Sequence, residues 1–242
     1  MTFIEKIKQK STDIYTVKPL TIAFLGDSVT QGCFELYPRH SGGVGVVYDN
    51  EAVYHNVVRK ILNLLYPQLP LSIVNAGICG ATARQGRERL DTDVISYHPD
   101  LTVVCYGLND CKRGMGELNA YIENLTNIFE RLKKIGSEVI FMTPNMIGER
   151  VNESLIDAEL RRIASEVCTE ENQRTLDAYL KSAIALCEEK NVAVCDCYKN
   201  WKAMKAAGVD VTSMLSNDIN HPTRELHIMF AYELVKTMLR GE

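Results

Sequence analysis

The 242 residues are 46% hydrophobic and 24% charged, a composition of globular chains with enough apolar side chains for one sizeable core. A net charge of -4 and a pI near 5.8 argue against nucleic acid as the main partner. No window approaches the ~18 consecutive apolar residues of a spanning helix, so no membrane span is expected.

Residues 1–18 read as a short amphipathic helical extension ahead of a core over about 20–240, the whole forming a single domain. Charge interrupts this segment too often for a secretory signal. Eight cysteines without such a signal read as reduced thiols, and a cytoplasmic location is expected. Cys195 and Cys197 read as buried thiols, since two cysteines with no nearby histidine make a poor zinc site.

Five apolar runs follow in order: "LTIAFLG" (20–26), "LSIVNAG" (71–77), "LTVVCYG" (101–107), "EVIFMT" (138–143) and "NVAVCDC" (191–197). Runs of Val, Ile and Leu without alternation point to strands buried on both faces. Between them the apolar spacing is helical. Residues 51–66 place Val53, Val57, Ile61 and Leu65 four apart, and 117–134 align Leu118, Ile122, Leu125, Phe129 and Leu132. Residues 171–190 and 222–240 behave likewise, with Pro222 expected in the first turn of the last helix. Repeated β-α alternation implies a mostly parallel sheet with helices on both faces, an α/β/α sandwich.

Two stretches exceed a simple connection. Residues 33–50, "CFELYPRHSGGVGVVYDN", are Gly-rich and aromatic, and 145–170 carry the patch "SLIDAELRRIASEV". Segments of this length are binding loops, lids or inserted surface helices. The loop from Cys33 to Asn50 is the candidate substrate-binding element.

In an open parallel sheet, ligands bind beyond the carboxyl ends of the strands. There the first strand delivers Gly26-Asp27-Ser28, the second Gly77, and the third "GLND" (107–110); "DINHP" (218–222) precedes the last helix. A hydroxyl, small glycines, a carboxamide and a carboxylate–imidazole pair suit acyl transfer. Ser28 is a weak nucleophile until a base takes its proton, and His221 is that base. Asp218, three residues earlier, is placed to hold the other ring nitrogen. Backbone N–H groups of Ser28 and Gly77 with the Asn109 carboxamide are the expected oxyanion donors. Asp27 and Asp110 read as loop-holding carboxylates, and His227 as a packing residue.

These residues resemble the SGNH hydrolases, also called GDSL-type esterases and lipases. Four blocks appear in order: Gly26-Asp27-Ser28, Asn75-Ala76-Gly77, Gly107-Leu108-Asn109-Asp110, and Asp218-Ile219-Asn220-His221 with Pro222 behind it. The resemblance runs over about residues 20–240. It implies a flavodoxin-like, five-stranded parallel sheet and a serine esterase with Ser28 as nucleophile, His221 as base and Asp218 as its partner. It further implies an oxyanion hole of Ser28, Gly77 and Asn109. The expected substrate is a small-molecule ester, acetyl or short-chain, of a carbohydrate-like or small soluble alcohol, hydrolysed without a metal or organic cofactor. Alternatives are a lysophospholipase or thioesterase, an acyltransferase, and a ligand-binding protein that has kept the fold.

Overall fold

The computed structural model describes residues 1–240. Seven strands run in chain order as β1 (Leu20–Gly26), β2 (Cys33–Pro38), β3 (Val44–Tyr48), β4 (Leu71–Gly77), β5 (Leu101–Cys105), β6 (Glu138–Met142) and β7 (Ala193–Cys195). Five of them form one parallel sheet in the order β4-β1-β5-β6-β7, the doubly wound arrangement expected from the apolar runs. In β1 every residue but Thr21 is buried, and all five of β5 are, which is why neither reads as alternating.

The helices are α1 (Phe3–Thr12), α2 (Ser28–Gln31), α3 (Tyr54–Leu65), α4 (Ala83–Glu88), α5 (Leu90–Asp93), α6 (Leu118–Lys134), α7 (Ala158–Val167), α8 (Glu170–Lys190), α9 (Cys197–Ala206) and α10 (Arg224–Arg240). Around the sheet, α10 packs against α3 and α1, and α6 packs against α4 and α8. The α10 stripe is the expected one, with Leu226, Phe230, Leu234 and Met238 buried. No helix among the described residues is long and apolar enough to cross a membrane.

Three local readings are corrected. In α3 the fully buried stripe is Tyr54, Val58 and Leu62; of the expected residues Val53 is buried, Val57 and Ile61 pack partly buried against the core beside that stripe, and Leu65, in the last turn, is exposed. Pro222 is not in a helical turn: it forms an isolated antiparallel bridge with Leu215, and α10 starts at Arg224. Residues 33–50 form a two-stranded antiparallel hairpin, β2–β3. Residues 145–170 take the inserted-helix alternative, α7, which buries Leu160, Ala164 and Val167. The thiols of Cys195 and Cys197 lie 3.6 Å apart, buried and unbridged.

Candidate active site

The parallel strands β1, β4 and β5 deliver their carboxyl ends side by side, with Gly26 in register with both Gly77 and Cys105. Directly after β1 the chain turns into α2. The Asp27 carboxylate accepts the Val29 N–H at 3.0 Å and caps this single turn. Burial pushes the Asp27 carboxyl up to about 7, against the pull of that hydrogen bond. Ser28 opens the turn, so its N–H lies outside the helical ladder. Arg89 secures the strand end from the other side, donating to the Gly26 carbonyl at 3.0 Å and to the Tyr106 hydroxyl at 3.1 Å.

His221 comes from a turn that is over-determined by hydrogen bonds. The Asn217 Oδ1 accepts from the backbone N–H groups of Ile219, Asn220 and His221 at 3.0, 2.9 and 2.9 Å. Asn145 donates to the Asn220 carbonyl at 2.8 Å, and Ser216 N–H donates to the His221 carbonyl at 2.7 Å. The ring reaches Ser28: Nε2 lies 3.0 Å from Oγ, with both side chains buried. Burial lowers the imidazole to about 4; the Phe34 carbonyl opposes this, and Lys112 adds to it. At neutral pH the ring is therefore uncharged.

The Nδ1 partner is a correction. It is the backbone carbonyl of Phe34 at 2.8 Å, not the Asp218 carboxylate. A carbonyl only accepts, so the ring proton resides on Nδ1 and the Nε2 lone pair faces the Ser28 hydroxyl. Asp218, whose backbone is left-handed at φ 57°, directs its carboxylate elsewhere. Its carboxylate accepts from Asn152 at 2.7 Å and Ser154 at 2.9 Å, tying the 145–170 segment to the histidine turn.

The oxyanion donors divide similarly. Asn109 is anchored by one amide N–H to the Ala81 carbonyl at 3.1 Å and by Lys112 Nζ on its Oδ1 at 3.1 Å, which leaves its second N–H. Gly77 does not offer its N–H, because Asn75 Oδ1 accepts it at 3.0 Å. Gly77 is instead a packing glycine: a Cβ there would collide with the backbone of Thr30 and Gln31 in α2. Three residues on, Gly80 has φ +76°, open space around it, and an N–H that meets no acceptor among the described residues. The run "NAGICG" contains both glycines, and backbone conformation separates their roles.

Other residues named from the sequence fall into structural places. Asp110 accepts the Ala83 N–H at 2.9 Å, and burial pushes it up to about 6. His227 is fully buried among Phe34, Tyr54 and Phe230, its Nδ1 taking the Tyr54 N–H at 3.1 Å. Sequence reasoning did not single out Phe34, Gly80, Asn217 or Arg224 for the site. Of these, the Asn four residues before a histidine is a turn signal that could have been read.

Comparison with known proteins places this site in context. The sequence profile described as the GDSL-like Lipase/Acylhydrolase family matches residues 24–227. An acetylxylan esterase from Geobacillus stearothermophilus is 27% identical over 179 residues, covering 70% of this chain and 72% of its own. A solved mutant of the Geobacillus acetyl-xylooligosaccharide esterase Axe2 superposes with a TM-score of 0.67 at 25% identity, over 90% of this chain and 94% of that one. A gut microbial diltiazem-metabolizing enzyme shares the fold, with a TM-score of 0.68 at 18% identity over 91% of this chain and 47% of its own.

Proposed function

The chain belongs to the GDSL-like lipase/acylhydrolase family and is an ester-bond hydrolase; from that premise we propose that Ser28 and His221 carry its reaction and that its substrates are acetyl or short-chain esters of a carbohydrate-like alcohol. The observation that carries the proposal is the 3.0 Å approach of Nε2 of a buried, neutral imidazole to the Ser28 hydroxyl.

Ser28 Oγ attacks the ester carbonyl as His221 Nε2 takes its proton, forming a tetrahedral intermediate. The Nδ1–H bond to Phe34 O holds the ring while it is transiently cationic. The intermediate's oxygen is met by N–H groups of Ser28, Gly80 and Asn109. The imidazolium then returns its proton to the leaving alcohol. In the second half, water attacks the acyl-enzyme with His221 again as base, releasing the acid and free Ser28.

The carbohydrate-like class is supported by the acetylxylan esterase relative. The half-exposed Tyr37 and Tyr48 rings, on the hairpin beside His221, supply amphipathic surface suited to a polar ring substrate. Acetate release from acetylated xylo-oligosaccharide, alongside nitrophenyl esters of increasing chain length, tests the reading. Turnover is expected to be highest for acetyl and lost in Ser28→Ala. Turnover that rises with chain length contradicts the substrate class.

A second arrangement of the same site has one observation in its favour. Structures of Axe2 described as catalytic mutants include an aspartate and a histidine three positions apart, the spacing of Asp218 and His221. In that arrangement Asp218 leaves Asn152 and Ser154 and takes Nδ1 from Phe34.

A further inference from the structure

The hairpin that supplies the Phe34 carbonyl is irregular at that residue. Cys33 pairs with Tyr48 and Leu36 with Val46, so Phe34 and Glu35 together oppose the single residue Val47. This is a β-bulge, a device that bends a strand and re-aims its groups next to a site. It takes Phe34 out of register with β3 and presents its carbonyl to His221 Nδ1 at 2.8 Å. A bulge is also a place where a strand can relax, so something must hold it.

Arg224 makes every contact needed for that. Its guanidinium grips Glu35 with two N–H groups, at 2.5 and 3.1 Å, and Asp49 just past β3 through Nε at 2.8 Å. Its Cζ lies 4.4 Å from the centroid of the Phe34 ring, within cation–π range. The same ring packs on His227, centroid to centroid 4.8 Å. Asp49 is itself fixed, accepting from the Glu51 and Ala52 N–H groups at 3.1 and 3.0 Å. Arg224 stands three residues after His221, so one side chain couples both hairpin strands to the histidine turn.

We infer that Arg224 is a positioning residue for the reaction, clamping the β2 bulge so that the Phe34 carbonyl holds the His221 ring in the Nδ1–H form that leaves Nε2 free for Ser28. This rests on the Ser28–His221 reading above, in the arrangement where the Phe34 carbonyl and not Asp218 holds Nδ1. A lysine cannot replace it, because a single ammonium cannot span Glu35 and Asp49 while stacking on Phe34. The guanidinium, Glu35 and Asp49 are 37%, 41% and 30% exposed. Such a network adds little to global stability, so its effect falls on local geometry.

The test uses full-length Arg224→Ala and Arg224→Lys, with nitrophenyl acetate kinetics, thermal melting, and ¹⁵N shifts of the His221 ring at pH 7. Misplacing the imidazole by a fraction of an ångström to 1 Å is expected to lower kcat about 10- to 100-fold, with KM changed less than about 2-fold. The Nδ1-protonated signature is expected to give way to a mixture of tautomers in both variants. If Arg224→Ala does not fold, Glu35→Gln, which keeps the shape and weakens the charge-assisted bonds, is expected to lower kcat about 5-fold in the same sense. An unchanged kcat in a folded Arg224 variant overturns the inference. So does a lowered kcat with the Nδ1-protonated form intact, which marks a merely structural role. Parental turnover by Ser28→Ala overturns the esterase chemistry instead, and the ring shifts then decide the clamp independently of activity.

Discussion

At the residue scale, the chemistry depends on which groups are left free after the turns have taken their hydrogen bonds. His221 is held at about 4 by burial, and its neutral form is the working base. The acid limb of kcat/KM is therefore expected near pH 4, activity being lost only as the ring protonates below that; a limb at pH 6.5 contradicts the buried ring. Asp218 gives a sharper test. With its carboxylate on Asn152 and Ser154, Asp218→Asn is expected to lower kcat less than about 10-fold, whereas a partner of Nδ1 that fixes the tautomer is worth ~10⁴-fold. Steady-state kinetics of the folded variant separate the two arrangements. Asn109→Ala removes one donor to the oxyanion and is expected to lower kcat by ~10²–10³ with KM little changed. Ser28, His221 and Asn109 were legible because their side chains carry the chemistry. The Phe34 carbonyl was not, since a backbone acceptor has no residue-type signature.

At the scale of elements, α2 lies so close to the end of β4 that only glycine fits at position 77. Gly77→Ala adds a methyl against backbone that cannot yield without moving Ser28. Overpacking of this kind costs about 1–3 kcal/mol, or roughly 2–12 °C in Tm for a chain of this size. Calorimetry is expected to show that loss together with a fall in kcat; a Tm and kcat at parental values contradict the packing role. The β-α alternation was legible because continuous apolar runs and 3.6-residue spacing are set by the core itself. The β2–β3 hairpin was not: it packs few strand residues inward, and its "SGG" turn and aromatic content read equally well as an irregular loop. Pro222 was misplaced for a related reason. Its fixed φ suits both a first helical turn and an extended bridge, and the pairing with Leu215 decides between them.

At the scale of the whole molecule, buried titratable groups set how stability varies with pH. His55, His221 and His227 are lowered by burial to about 4, 4 and 3. Their ordinary value in the unfolded chain is near 6.5, so the unfolded state binds more protons and stability is lost as pH falls below that. Asp27 and Asp110, raised to about 7 and 6, act in the opposite sense, favouring the folded state at low pH and losing that contribution as pH rises. Between pH 4 and 6 three histidines oppose two carboxyls, and Glu35 and Asp49, held below the usual carboxylate range by the Arg224 guanidinium, add to the histidine side, so stability rises with pH. Replacing His55 with Leu removes one of these contributions. Denaturant unfolding at pH 4.5 and 6 is expected to show stability rising with pH in the parent and rising less in His55→Leu; an equal rise in both contradicts the role of the buried histidine.

All three scales meet in the claim that Ser28 is the nucleophile and His221 its base. Reaction with a fluorophosphonate, followed by intact mass and peptide mapping, tests this most directly. One adduct per chain is expected, on the peptide containing Ser28, absent in Ser28→Ala and slowed at least ~10³-fold in His221→Ala. An adduct on another residue, or labelling that persists in Ser28→Ala, contradicts it.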